Sequence, residues 1–544
     1  MSQQTTFLTP RRELLGIPNG ITGKGVRIVL TDSFFPAHQD LVSKGNRNIQ
    51  WLDVEGKPFD PAPLTGANPR KGQHGLGRAT VCGGMGLGSD GKYGGVAPES
   101  EMILLNFGVL DGGLAKPPKA YQYLDFLVEH VQRLGVRAAQ FGSVGERTGP
   151  LVPWQWDTQR RYSEQITSKG ILVVSPTGNC PGSFSPASLA PSALAGGGLE
   201  LPSEPGTPMR PFHSPEGVSF EGKHLPEYLA PAERVVLPAL DPGHDCGIDG
   251  VPLGYTVDEG TSFSGPFMVG LLACVWQKHP EITAHQMRTV VQRAARSVES
   301  RFGETDVGMP TWQAIEEAIG SAAEAPSAAP TPFETYAETQ QLSWDVRMRR
   351  CHDTPEGMAD VLLNSLPDKA PAAVCSQLAS LFRSTSNARA RAAIVLLLAP
   401  DREDEEPEHP ILEEALRDES PLVLGCALDV MRRTPALSAG REEDVVRLLD
   451  HSNGQVRYET LLVAEEAPCK TYVRPLIQGM KRDFEQGPMI AFLWRRRCLK
   501  AITGETYWPH TRKTMYPGEC VYSDYWLAKQ RACMERWQNS GYAR

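Results

Sequence analysis

The 544-residue chain lacks the features that mark most secreted and membrane proteins. Its 11 cysteines are odd in number and form no CxxC pairs, whereas a disulfide framework usually has an even number at compact spacings. The N-terminal residues show no continuous apolar core of a signal peptide, and the longest apolar stretch, near 265–276, is too short for a membrane span. We therefore expect reduced thiols, a cytoplasmic location and no membrane partner.

The chain also lacks an excess of basic residues and the common metal and nucleotide motifs. Its formal net charge is −9, which argues against nucleic acid as a partner because phosphate backbones are bound by basic surfaces. HExxH, CxxC and Walker-type sequences are missing, and the glycine run at 83–91 is weak evidence for phosphate binding. We expect no required cofactor.

Short apolar runs alternate with amphipathic stretches between about residues 23 and 320. This alternation is typical of an α/β fold with a largely parallel sheet and helices on both of its faces. In such sheets the chemistry lies beyond the carboxyl ends of the strands, where Asp32 and Asn179 fall. The runs that predict buried strands lie at 26–33, 101–108, 136–143 and 171–179, and a helix is predicted at 120–134.

A stretch rich in Ala, Pro and Ser at 321–332 divides the chain. Such a composition predicts an extended linker between a domain at 1–320 and a second domain at 333–544.

The second domain shows helical periodicity and a repeated pattern of a polar turn that opens an amphipathic helix. The repeats follow one another at steps of 34, 32 and 33 residues, a period typical of helix-pair solenoids. We predict an all-α, HEAT-like solenoid domain, and the alternative is an irregular helical domain with coincidental spacing. The repeated turns are marked by Ser384, Asp418, Asp450 and Asp483.

Three residues in the first domain carry candidate chemistry only when they are taken together. Separately, Asp32 is an ordinary residue at a strand end, His74 a surface histidine and Ser262 a helix N-cap. Together they supply a carboxylate, a base and a nucleophile, which are the groups that amide hydrolysis needs.

The segments around these residues resemble those of the subtilisin-like serine proteases, the subtilases. The resemblance spans about residues 10–320 at six places in the family's order. Those places read GKGVRIVLTDS with HQDL, QHG, GVAPES, GNCPG with the turn after it, GTSFSGPFMVGLLA and HPEITAHQMRTVVQRAAR. The order Asp, His, Ser is also the subtilisin order.

The resemblance implies a role for each matching residue. Ser262 would attack the scissile carbonyl, His74 would act as base and then acid, and Asp32 would orient the imidazole. Asn179 would donate to the oxyanion together with the Ser262 backbone N–H, unless it is an ordinary turn residue. The family's substrate-lining segments would correspond to 140–145 and 107–113, although the first departs from the usual sequence.

The resemblance also implies a possible structural calcium ion. Its ligands would come from Gln3 or Gln4, from Asp40 and from the loop at 86–94, while Asp40 has the alternative role of a helix cap.

We therefore expect a serine endopeptidase that cleaves protein or peptide substrates through an acyl-enzyme. No N-terminal inhibitory segment is expected ahead of the Asp32 segment, so the helical repeat domain is predicted to bind a protein partner or the substrate. Two alternatives remain at this point: a catalytically idle scaffold, and a dedicated peptide-processing or transpeptidating enzyme of the same fold.

Overall fold

The structure is a computed structural model that describes residues 5–41, 48–114, 121–142, 149–179, 182–296, 306–322, 331–400, 407–486, 489–507 and 524–543. The chain forms two compact units, and each contains more than one chain segment. The first unit comprises 1–147, 159–217 and 224–332, and the second comprises 148–158, 218–223 and 333–544. The predicted linker at 321–332 lies mostly outside the described residues, and the predicted domain limits stay a prediction.

A largely parallel sheet forms the centre of the first unit. Its strands are β1 (Arg27–Asp32), β2 (Ile49–Leu52), β3 (Glu101–Asn106), β6 (Ala138–Gln140), β7 (Leu172–Pro176), β8 (Leu194–Glu200), β9 (Arg210–Pro211) and β12 (Tyr228–Glu233). Shorter strands are β4 (Val109–Leu110), β5 (Gly113–Leu114), β10 (Gly217–Val218), β11 (His224–Leu225), β13 (Val235–Pro238) and β14 (Tyr255–Asp258). The four buried strands predicted from the sequence correspond to β1, β3, β6 and β7.

The strand order places β1 at a reversal of the sheet. The order is β12-β8-β7-β6-β1-β3-β2, and all of these neighbours pair in parallel, while β9 pairs antiparallel with β8. The chain therefore places β2 and β3 on one side of β1, and β6, β7, β8 and β12 on the other. A crevice forms at such a reversal, beyond the carboxyl ends of the strands, and Asp32 is the last residue of β1.

Helices cover both faces of this sheet, as predicted. They are α1 (Arg11–Leu15), α2 (Pro69–Gly83), α3 (Gln122–His130), α4 (Thr158–Ser168), α5 (Thr261–Lys278), α6 (Ala284–Ala295) and α7 (Trp312–Ala322). One apolar cluster joins the sheet to α2, α5, α6 and α7, and a second joins its other face to α3 and α4. Helix α5 is apolar on every side, and it is buried from Phe263 to Trp276.

The second unit is helical throughout its described residues from Phe333 onward. Its helices are α8 (Pro332–Gln340), α9 (Trp344–Asp353), α10 (Met358–Leu363), α11 (Ala372–Ser384), α12 (Ala388–Leu397), α13 (Leu412–Leu416), α14 (Pro421–Arg433), α15 (Glu442–Leu448), α16 (Gly454–Glu466), α17 (Val473–Gln486), α18 (Met489–Thr503) and α19 (Asp524–Gln538). Helices α10, α12, α14, α16 and α18 pack one against the next in a row. HEAT-like repetition stays a prediction.

The predicted turn before each repeated helix is present at three of the four positions. Helices α12, α14 and α16 begin three or four residues after Ser384, Asp418 and Asp450. Asp483 differs because it lies inside α17, where its carboxylate accepts a hydrogen bond from Nε of the buried Arg495 at 2.6 Å. That residue therefore has a partner in the core and does not open a helix.

Two segments from the first 320 residues belong to the second unit, which the sequence did not predict. In segment 148–158, the indole N–H of Trp156 donates to the buried Asp429 carboxylate at 2.8 Å, and Leu151 packs on α14 at Gly425. Segment 218–223 accompanies it, because the Glu221 carboxylate accepts from the Trp154 backbone N–H at 2.9 Å. In the described part of the chain, no helix is sufficiently long and apolar to cross a membrane.

Candidate active site

The predicted base and carboxylate meet at the carboxyl end of β1. His74 lies in α2, and its Nδ1 is 2.8 Å from Oδ2 of Asp32. The other carboxylate oxygen, Oδ1, accepts the backbone N–H of Ser33 at 2.6 Å, which fixes the plane of the carboxylate. The imidazole is therefore held through Nδ1, and Nε2 is the nitrogen available for proton transfer.

The glycine that follows His74 allows α2 to approach β1 closely. A Cβ atom on Gly75 would lie 2.0 Å from the backbone oxygen of Phe34. Any larger residue at this position would move α2, and with it His74, away from the end of the strand. The side chain of His74 is 41% exposed, so it is accessible from the crevice, while Asp32 is buried.

The candidate nucleophile occupies the first turn of the most buried helix. Ser262 is the second residue of α5 and is half-buried. The helix begins after Gly260, whose φ of 135° lies in a region that side chains rarely adopt. The helix dipole favours negative charge at this point.

Asn179 is oriented by the residue that precedes the candidate nucleophile. Its Oδ1 accepts the backbone N–H of Thr261 at 2.7 Å and the Thr261 hydroxyl at 2.8 Å. Because both contacts use the oxygen, the amide Nδ2 is left free to donate elsewhere. Asn179 stands three residues beyond β7, and its role as an oxyanion donor stays a prediction. Sequence reasoning missed the role of Thr261.

A buried arginine contacts the candidate catalytic carboxylate, and sequence reasoning missed it as well. Nη1 of Arg78 lies 2.7 Å from Oδ2 of Asp32, the same oxygen that contacts His74. Burial alone would raise the pKa of Asp32, but His74 and Arg78 outweigh it and hold the pKa far below its usual range. The available signal was a charged residue one helical turn after His74, in a stretch of α2 whose other residues after His74 are small or apolar.

Acidic side chains collect just before the candidate nucleophile. Burial, followed by the charges of Asp258 and Glu200, raises the pKa of Glu259 to about 7. Burial, followed by Glu200, raises the pKa of Glu233 to about 8. Two carboxyl groups near the start of α5, those of Glu259 and Glu233, therefore have pKa values raised to near neutrality.

The predicted substrate-lining segments are only partly described. In segment 140–145, Gln140 and Phe141 are buried, and residues from 143 onward lie outside the described part. In segment 107–113, strands β4 and β5 form a short antiparallel hairpin after β3. Their assignment to substrate binding stays a prediction.

The residues at the predicted calcium position do not fit a calcium ion. Oδ1 of Asp40 already accepts the Leu87 backbone N–H at 2.8 Å, and Arg11 donates to the carbonyl oxygens of Tyr93 and Gly94 in the same loop. A guanidinium group at these carbonyls uses the oxygens that a calcium ion would need and repels a second cation. Within the described residues there is no cluster of three His, Cys, Asp or Glu side chains suited to a metal. Gln3 and Gln4 lie outside the described residues.

Comparison with known proteins identifies the family. The profile of the subtilase family, Peptidase S8, matches residues 23–315, which is more than half of the chain. This chain belongs to the subtilase family. The matched range includes Asp32, His74 and Ser262.

Individual relatives of this subtilase are distant. The serine protease AprX of Bacillus subtilis (strain 168) is 25% identical over 300 residues, which cover 50% of this chain and 61% of that protein. The chain thus spans about three fifths of the length of this curated relative. Among solved structures, fervidolysin from Fervidobacterium pennivorans is 18% identical over 56% of this chain and 45% of its own, with a TM-score of 0.42. Sphericase is 22% identical over 57% of this chain and 100% of its own, also with a TM-score of 0.42.

Proposed function

We propose that this subtilase is an active serine endopeptidase with Asp32, His74 and Ser262 as its catalytic triad. The observation that carries the proposal is the 2.8 Å contact between His74 Nδ1 and Asp32 Oδ2 at the reversal of the sheet. Family membership supports the same activity. The other residues needed for acyl transfer follow in the family's order, with Ser262 in the first turn of α5.

In the first half of the reaction, Ser262 Oγ attacks the scissile carbonyl carbon while His74 Nε2 takes the hydroxyl proton. Asp32 stabilises the resulting imidazolium and keeps its Nδ1–H in place. The tetrahedral oxyanion accepts hydrogen bonds from Asn179 Nδ2 and the Ser262 backbone N–H, because Thr261 holds the Asn179 oxygen away from it. His74 then gives its proton to the leaving amine, and the acyl-enzyme remains.

In the second half, a water molecule replaces the amine. His74 takes a proton from that water, the hydroxide attacks the ester carbonyl, and the same oxyanion donors stabilise the second tetrahedral intermediate. Collapse of this intermediate returns the proton to Ser262 Oγ and releases the new carboxyl terminus.

The second unit is proposed to bind a protein partner or the substrate. Support comes from segment 148–158, which belongs to the second unit. In the sequence it comes shortly after segment 140–145, which is predicted to line the substrate. A ligand on the helices would therefore act on the segment that follows a predicted substrate-lining strand. To test this, hydrolysis of casein and of a short peptide is compared between the wild type and Trp156→Phe, which removes the N–H bond to Asp429 and puts a smaller ring under the Arg433 guanidinium. A changed ratio of the two kcat/KM values is expected, and an unchanged ratio argues against the proposal.

A cytoplasmic location is proposed as well. It is supported by the 11 cysteines of the sequence, which are odd in number and lack the compact spacings of a disulfide framework. Fractionation of the source cells tests it, and recovery of the protein outside the cytoplasm would contradict it.

The activity is tested with a fluorophosphonate probe, which reacts only with an activated serine. We expect the wild type to be labelled and Ser262→Ala to be unlabelled. The matched control is Ser264→Ala in the same helix, because the Ser264 hydroxyl is buried and bonded to the Thr261 carbonyl oxygen. Absent labelling of the wild type, together with no new N-termini after incubation with casein, would favour the idle scaffold.

A further inference from the structure

Arg78 is wholly buried and reaches three groups beneath the crevice. Its Nη1 donates to the Thr31 backbone oxygen at 2.5 Å and to Asp32 Oδ2 at 2.7 Å. Its Nη2 donates to Oε1 of Gln140, the last residue of β6. A buried guanidinium is costly unless its charge is paired, and here the paired carboxylate is the one that also holds His74.

The backbone around Arg78 is shaped to admit it. A Cβ on Gly142 would lie 2.8 Å from Nη1 of Arg78, so a larger residue there would displace the guanidinium. Gln140 and Gly142 themselves belong to segment 140–145, which is predicted to line the substrate. Arg78 therefore joins the end of β1, which carries Asp32, to the end of β6.

The shared oxygen has an electrostatic consequence for the imidazole. Because Arg78 and His74 both contact Oδ2, part of the field of the Asp32 charge is cancelled before it reaches the ring. Other charges lie nearby: Asp258 at the end of β14 interacts with His74 and favours the protonated ring, and Arg70 in the first turn of α2 interacts with Asp258. Arg78 differs from both because it shares the oxygen that the ring contacts.

We propose that Arg78 is a positioning residue that fixes Asp32 against β6 and, through its charge, sets the pH range in which His74 acts as a base. The inference rests on the proposed peptidase function. The Arg78 charge opposes the positive charge that the imidazole gains when it takes the Ser262 proton, because both groups contact Oδ2 of Asp32.

The test is the pH dependence of kcat/KM with a short chromogenic peptide. Two cations about 5 to 6 Å apart at an effective dielectric constant of about 20 would shift a titration by roughly two pH units at most. In Arg78→Met we expect the acidic limb to move upward by about one to two pH units. Arg78→Lys keeps the charge, and its acidic limb should stay within about half a pH unit of the wild type.

A second variant avoids leaving a buried carboxylate unpaired. Gln140→Glu places a second carboxylate on Arg78, so its acidic limb should also move upward even if Arg78→Met folds poorly. A loss of rate in either variant with an unmoved limb would overturn the inference, because a purely structural role predicts that result. If the wild type neither hydrolyses peptides nor reacts with the fluorophosphonate probe, the proposed function itself fails.

Arg11 supports a second, independent inference at the predicted calcium position. Its guanidinium is buried, with Nη1 donating to the Tyr93 oxygen at 2.5 Å and the Gly94 oxygen at 2.9 Å, and Nη2 to the Val236 oxygen. Burial lowers the pKa of Arg11 to about 10, with Tyr255 and Asp40 acting in the opposite direction, so it is charged at neutral pH.

Protein groups also hold the loop next to Asp40, although Asp40 Oδ2 itself is buried without a hydrogen-bond partner among the described residues. The Ser89 hydroxyl accepts the Tyr93 backbone N–H at 3.0 Å and contacts the Tyr255 hydroxyl at 3.1 Å. We propose that Arg11 supplies the positive charge for the loop at 86–94, which is therefore stable without calcium.

Thermal melting of Ser262→Ala tests this inference without self-digestion. We expect the same melting temperature with excess EDTA and with millimolar calcium chloride, and a decrease of several degrees in both for the Arg11→Gln double variant. Arg11→Lys should recover part of the decrease, since it restores the charge but fewer donors. A calcium-dependent increase in the melting temperature of the protein with Arg11 intact would overturn the inference.

Discussion

Asp429 allows a quantitative test of how the second unit holds segment 148–158. Its carboxylate is fully buried and receives three donors: Arg432 Nη2 on Oδ1 at 2.6 Å, and Arg433 Nε and Trp156 Nε1 on Oδ2 at 2.6 and 2.8 Å. Burial would raise the pKa of Asp429, but Arg433 and Arg432 outweigh it and hold the pKa far below its usual range. The group is therefore charged and fully paired at neutral pH.

The perturbation is Asp429→Asn, which preserves the shape of the side chain. The new amide brings its own N–H groups toward these N–H donors, and it leaves two arginines without a counter-charge. Breaking a buried ion pair from one side costs about 3 to 5 kcal/mol. For a unit of roughly 200 residues this corresponds to a decrease in melting temperature of about 6 to 20 °C.

The assay is differential scanning calorimetry at pH 7 in the Ser262→Ala background, where the two units can melt in separate transitions. The matched control is Asp360→Asn, because Asp360 is 68% exposed and only 3.9 Å from Arg389. An exposed pair contributes less than about 1 kcal/mol, so that transition should decrease by no more than about 4 °C. If the two variants melt within about 2 °C of each other, the reasoning about Asp429 is refuted.

Two further predictions concern the first unit. Replacing Asn179 by Ala should lower kcat by roughly a hundred- to a thousand-fold, with KM nearly unchanged, because an oxyanion donor acts only in the transition state; a KM effect alone would contradict the role. The pKa of Glu233 in the folded protein is raised to about 8, so its protonated form stabilises the fold. This contribution to the free energy of unfolding is complete below the usual carboxyl pKa of 4.5 and is lost as the pH rises through 8. Glu233→Gln should flatten that loss in melting curves recorded from pH 5 to 9, and an unchanged slope would show that another group is responsible.

The sequence predicted the parts of the site that depend on local pattern. β1, β3, β6 and β7 were visible as apolar runs, and the segments around His74 and Ser262 as family motifs. Arg78 could not be placed, because a charged residue on a helix usually faces solvent and its partners Asp32 and Gln140 are 46 and 62 residues away in the chain. Asp483 was misplaced for a related reason: its polar character indicates a turn, while its partner Arg495 follows only in the next helix.

The membership of segments 148–158 and 218–223 in the second unit could not be predicted, since their sequence is ordinary loop sequence. Because of these two segments, each compact unit is made of three separate stretches of the chain.

Because segments 148–158 and 218–223 belong to the second unit, cutting the chain at one point does not separate the two units. A truncation after Pro332 would remove the partners of Leu151 and Trp156 and leave their apolar surfaces without a cover, so the first unit cannot be detached as an intact module. We therefore expect the two units to be inherited together, and an insertion to be tolerated better between helices of the second unit than at either embedded segment.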